Sequence, residues 1–137
     1  MSRVINISEA VSIGIHSLAV IAGSDGIING ILVSEITGFS RNHTSKILQI
    51  LVKHKLLKSG RGPKGGFLLN VPASEIRLID VYNLIEGEFP TIHKCMHARP
   101  ECPFKECVFG GIAGKLTEEF RTYLYEKTIG DIILKKN

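Results

Sequence analysis

The sequence predicts a mostly α-helical chain with one small β-hairpin, arranged as a winged helix-turn-helix domain plus a long C-terminal dimerisation helix. Three observations predict it. Two helical segments meet at Gly38, and the second opens on a polar end. A basic, glycine-rich stretch, SGRGPKGGFLLN at 59–70, follows directly. An amphipathic segment late in the chain has little sequence after it to pack against.

The elements follow in order. In NISEAVSIGIHSLAVIAG (6–23), Val11, Ile15, Leu18 and Ala22 recur at helical spacing, Ser8 suits an N-cap and Gly23 a stop. GSDGIING (23–30) reads as a loop, and ILVSEITG (31–38) as a short helix ended by Gly38. FSRNHTSKILQILVKHKLL (39–57) starts at Ser40 as N-cap and turns Ile47, Leu48, Leu51 and Val52 inward. Its leading turns are polar: Arg41, Asn42, His43, Thr44, Ser45 and Lys46.

The 59–70 stretch has two readings. A phosphate-cradling loop needs a lysine followed by Ser or Thr at the start of a helix. Here Lys64 is followed by two glycines and an apolar run. A hairpin fits better, with strands at 56–60 and 66–70 and a turn presenting Arg61 and Lys64. A hairpin placed directly after a helix-turn-helix is a wing.

PASEIRLIDVYNLIEG (72–87) reads as a loop and a helix, with Ile79, Tyr82, Leu84 and Ile85 as partial core. EFPTIHKCMHARPECPFKEC (88–107) is broken by three prolines and holds every cysteine. VFGGIAGKLTEEFRTYLYEKT (108–128) returns to helical rhythm through Ile112, Leu116, Phe120, Tyr123 and Leu124, as expected of a helix that pairs with its copy in a homodimer. The expected division is a DNA-binding domain over 1–87, a cysteine-bearing loop over 88–107, and a dimerisation helix with its tail over 108–137.

Composition narrows the classes. With 137 residues, 44% of them hydrophobic, the chain can build one core. A formal charge of +4 leans weakly toward a polyanionic partner. No apolar run approaches the roughly 18 residues that span a bilayer. No secretion signal opens the sequence, so the expectation is a cytoplasmic chain with reduced thiols. No nucleophile–base pair, paired carboxylates or nucleotide fingerprint stands out, so no enzyme is expected.

Cys95, Cys102 and Cys107 form an odd, clustered set, which points to a metal site or redox chemistry rather than a disulfide framework. Structural zinc sites favour close Cys-x-x-Cys pairs, and none occurs. Looser spacing on a proline-broken loop suits an iron–sulfur cluster, 2Fe–2S or 4Fe–4S. Three cysteines leave a fourth position, for which His93, His97 and His16 compete with an exogenous ligand or an open coordination position.

In this order and these residues, the chain resembles the winged-helix regulators of the Rrf2 type, which include the iron–sulfur sensors IscR and NsrR. The resemblance runs through ISEAVSIGIHSLAVIA, VSEITGFSRNHTSKILQILVKHKLL, the wing SGRGPKGGFLL with EIRLIDVYNLIEG, and the three-cysteine loop, long helix and tail KTIGDII. It implies a transcription regulator that binds a palindromic operator in double-stranded DNA as a homodimer. The implied DNA contacts are Ser40, Arg41, Asn42, His43, Ser45, Lys46, Arg61 and Lys64. Asn42 and Ser45 would read bases, and Arg61 would enter the minor groove. The implied cluster ligands are Cys95, Cys102 and Cys107, with His16 reaching across the dimer; the matching family positions on the first helix fall on His16 and Ser12.

Two departures stand out. Cluster-binding members usually space their cysteines with about five residues in each gap, whereas here the gaps are MHARPE, six residues, and PFKE, four. The histidine that some members carry three residues after the last cysteine is Gly110 here. The alternative is a regulator of the same fold that senses through free thiols, zinc or a partner protein.

Overall fold

Ser8 opens the first helix as expected, its Oγ accepting the Val11 N–H at 3.1 Å. The structure, a computed structural model, describes residues 7–60, 65–89 and 101–133. Helix α1 spans Glu9–Ala22 and ends at Gly23. Asn29 caps α2 (Gly30–Thr37) by accepting the Leu32 N–H at 2.8 Å.

The turn between α2 and α3 depends on Gly38. Its φ of 83° lies in the left-handed region, where a side chain is strained, and its N–H closes α2 on the Ser34 carbonyl at 2.8 Å. Ser40 then caps α3 (Arg41–Lys53), accepting the His43 N–H at 3.2 Å. These two signals set the angle of the helix-turn-helix.

The hairpin forms as β1 (Leu57–Gly60) against β2 (Gly66–Leu69), antiparallel, with Leu57 opposite Leu69 and Gly60 opposite Gly66. The loop before α2 joins this sheet through an isolated bridge between Ile28 and Phe67. The loop and helix expected over 72–87 form as a 3₁₀ turn at Ala73–Glu75 and then α4 (Leu78–Glu86). Asp80 starts α4 by accepting the Arg77 N–H at 3.2 Å. Helix α5 spans Ile112–Glu126, and a second 3₁₀ turn follows at Ile129–Ile132.

One core joins these parts. Ile13 and Leu18 of α1, Val33 of α2, Leu48 and Leu51 of α3, and Val81 of α4 are all fully shielded from solvent. The tail closes the same core. The Leu78 N–H donates to the Lys127 carbonyl at 2.9 Å, the Ile129 N–H to the Ile76 carbonyl at 2.8 Å, and Ile129 is fully buried.

Helix α5 is divided between two surroundings. Ala113 and Leu124 are buried within the chain, and the Phe120 ring stands edge-on to Phe89, 5.9 Å between centroids. Phe89 packs in turn against Tyr82 of α4 at 5.0 Å. Ile112, Leu116 and Tyr123 remain exposed along a neighbouring stripe of the same helix. Among the described residues, no helix is long and apolar enough to cross a membrane.

Candidate nucleic-acid interface and cysteine segment

Asn42 and Ser45, one turn apart on α3, share an exposed face, with Arg41 at the helix start. That face looks into an open crevice of about 490 Å³ between α3 and the wing. Arg41, Asn42 and Ser45 line one wall, and Ser59, Gly60, Gly65 and Gly66 the other. Ser40, His43 and Lys46 flank the helix end outside this crevice. Arg61 and Lys64, which the sequence reading puts at the wing tip, lie outside the described residues.

Gln49 also lines the crevice, one face-repeat beyond Asn42 and Ser45, and Asn29 closes it from the start of α2. The sequence reading missed both. Spacing holds the signal for Gln49, since 42, 45 and 49 follow i, i+3, i+7. Asn29 is placed by the fold.

The wing is held firmly at its base. A Cβ on Gly66 would run into the Ile28 carbonyl oxygen, so only glycine lets β2 pass this close to the loop before α2. The hairpin and the helix-turn-helix are therefore fixed relative to each other.

Two carboxylates reach the leading end of α3. Arg41 Nη2 lies 3.7 Å from Glu35 Oε1 of α2, and His43 Nδ1 lies 3.7 Å from Glu9 Oε1 of α1.

On α1, His16 is exposed rather than packed in the core. Its ring meets Phe39 edge-on at 5.9 Å, and its Nδ1 lies 2.7 Å from the Ser12 carbonyl oxygen. A carbonyl only accepts, so Nδ1 is the donor in this contact, and in the neutral ring the lone pair stands on Nε2. Cys102 and Cys107 are free, exposed thiols. The backbone N–H of Gly111, then that of Phe109, faces the Cys107 sulfur and holds its thiol below the usual range. Cys95, His93 and His97 lie outside the described residues. Among the described residues, no three His, Cys, Asp or Glu side chains gather around a common point. The donor types, exposed thiols plus an imidazole, suit iron in a cluster.

A recognition helix with a polar leading end, followed by a wing pinned to the same motif, defines a winged helix-turn-helix protein. The family model for Rrf2, described as iron-dependent transcriptional regulator, matches residues 7–135, and the chain belongs to that family of DNA-binding transcriptional regulators. It is a regulator and not an enzyme. The fold is similar to that of CymR (YrzC), the global cysteine regulator of B. subtilis, at 19% identity over 93% of this chain and 95% of that one, with a TM-score of 0.73. It is similar to the oxidized form of Staphylococcus aureus CymR at 24% identity, covering 97% and 99%, with a TM-score of 0.74. It is also similar to T. potens IscR at 19% identity, covering 93% and 85%, with a TM-score of 0.66.

Proposed function

We propose that this protein is a homodimeric regulator that reads a palindromic operator with α3 and the wing, and whose grip on DNA is set by the chemical state of its cysteines. The crevice carries the DNA reading. Asn42 and Ser45 converge there with the wing backbone on a face that no other part of the described chain covers. Asparagine can pair bidentately with an adenine edge, and α3 is narrow enough to enter the major groove. Arg61 enters the minor groove, where the flanking glycines let the backbone approach closely. Ser40, Arg41, His43, Lys46 and Lys64 contribute contacts to phosphates or bases around this centre. Two copies joined through α5 present two α3 helices to half-sites about 34–36 Å apart. A regulator of this kind works where the DNA is, in the cytoplasm.

Selection from a random duplex pool tests this reading. The wild-type protein should enrich a sequence with two-fold symmetry, and Asn42→Ala should bind that duplex about tenfold more weakly with an unchanged melting temperature. No enrichment by a folded protein contradicts it.

Cys95, Cys102 and Cys107 are the proposed thiolate ligands of an iron–sulfur cluster, and His16 of the partner copy is the proposed fourth. When bound, a cluster supplies a centre that oxidants or nitric oxide attack at its least firmly held iron. The chain's part is mechanical. The segment 88–107 connects α4 to α5, so a group held by its cysteines would bias how the winged domain sits against the dimer helix. Anaerobic purification with iron and sulfide analysis tests the assignment. Each Cys→Ala change should deplete iron, and His16→Ala should retain it with an altered visible spectrum. Iron content indifferent to all three cysteines overturns it.

A second reading has its own support: sensing by the thiols alone. Cys102 and Cys107 are solvent-exposed, and Cys107 is biased toward thiolate. Similarity to the global cysteine regulator of B. subtilis is in keeping with it. A colourless, iron-free protein whose operator affinity still responds to peroxide would favour this reading.

A further inference from the structure

The two basic side chains in the first turn of α3, Arg41 and His43, both have carboxylate partners. Glu35, on α2, pairs with Arg41, and Glu9, in the first turn of α1, pairs with His43. Neither is a pair within one helix. Each is created by the packing of α1 and α2 around α3; the Arg41–Glu35 pair stands in water, 67% and 59% exposed, whereas His43 is only 35% exposed beside Glu9. Arg41 is charged at every working pH, whereas His43 contributes only when protonated. Lys46, one turn further on, has no carboxylate partner among the described residues.

Such an arrangement runs against simple affinity. Carboxylates at the leading end of a recognition helix repel phosphates and cancel the charge that would attract them. They act differently on two kinds of DNA. On a random sequence a guanine edge seldom lies in register with Arg41, so phosphates are the acceptors it mostly meets, and Arg41 can remain with Glu35 and add no contact. On a matching sequence a guanine edge offers a bidentate acceptor, which outweighs an exposed ion pair of small net strength. Lys46 supplies the sequence-independent attraction in both cases.

We propose that Glu35, with Glu9 as its counterpart, is a specificity-determining residue: it withholds Arg41 from random-sequence DNA and releases it to a base edge in the operator. This inference rests on the reading of α3 as the DNA-contacting helix.

The test uses the full-length protein and two probes, a duplex selected by the wild-type protein from a random pool and a scrambled duplex of equal composition. Glu35→Gln keeps the side-chain shape and removes the charge. It should raise affinity for the scrambled duplex about fivefold and steepen the salt dependence by about 0.9 in the log–log slope, the signature of one added phosphate contact. Affinity for the selected duplex should rise by about twofold or less, so the discrimination ratio falls. Glu9→Gln should act in the same direction. Glu118→Gln, which removes an equal charge from the Arg121 pair on α5, should leave the ratio unchanged. In an Arg41→Ala background, Glu35→Gln should no longer affect the scrambled duplex. An unchanged ratio in both Glu35→Gln and Glu9→Gln overturns the proposal, as does an effect that survives the loss of Arg41. If the wild-type protein enriches no duplex, the DNA-reading function falls and this proposal with it. If it enriches one and the variants match it, only this proposal falls.

Discussion

Ile28 and Phe67 exchange both of their backbone hydrogen bonds: the Ile28 N–H donates to Phe67 at 3.2 Å, and the Phe67 N–H donates to Ile28 at 2.8 Å. This single bridge ties the wing to the start of α2, so the wing and the helix-turn-helix move as one body. Gly66 sits beside the bridge, with no room for a Cβ against the Ile28 carbonyl. Gly66→Ala should therefore destabilise the fold by about 1–3 kcal/mol through overpacking. It should also weaken operator binding although no DNA-contacting group is lost. Thermal unfolding and a DNA titration of the same variant check both; wild-type behaviour in both would show that the wing tolerates displacement.

Arg61→Ala removes the proposed minor-groove contact at the wing tip. Operator binding should weaken by roughly 1–3 kcal/mol at fixed salt, with the unfolding curve unchanged. Equal affinity of variant and wild type would take the tip out of the DNA contact.

The signals that build the winged motif were legible because they are local. Ser8, Gly38 and Ser40 act on backbone groups within four residues, and the strands on either side of RGPK pair as the sequence suggested. What escaped the sequence reading depends on distant packing. The stripe Ile112, Leu116, Phe120, Tyr123 and Leu124 read as one surface with little sequence after it to pack against. The fold splits it, because Phe89 and Tyr82 of the α4 region offer Phe120 an aromatic partner and the tail returns to bury Ile129. The carboxylates beside Arg41 and His43 were equally hidden, since Glu35 and Glu9 belong to other helices. For the cysteines the spacing carried only the expectation of metal ligation. It carried no sign of the backbone N–H groups that favour the Cys107 thiolate, which come from the turn leading into α5.

The split in α5 decides which substitutions test the dimer. Phe120 is half-buried in its own chain, so a charge there disturbs the monomer as well. Leu116 and Tyr123, 38% and 48% exposed, are the cleaner pair. Leu116→Glu with Tyr123→Glu should give a folded monomer by light scattering and lose operator binding through the loss of two-site contact. A stable dimer of this variant would place the interface elsewhere.

Cys107 gives a pH prediction with a definite sign. Backbone donors favour its charged form, so the thiolate persists to lower pH than in a free cysteine. In metal-free protein carrying Cys95→Ser and Cys102→Ser, the midpoint of the iodoacetamide alkylation rate should fall below about 8.5, the value of an unperturbed thiol. A midpoint at or above that value would mean that the turn before α5 does not hold the sulfur as described.

Operator affinity measured on one anaerobic preparation, before and after oxidative removal of its iron, tests the link between the cysteine segment and the recognition helices. A change of about fivefold or more is expected, the lower end of a typical coupling between two sites. It should be absent in Cys102→Ala with Cys107→Ala. Identical affinity in both states, or a preparation that never contains iron, would contradict a regulator whose cluster sets its hold on DNA.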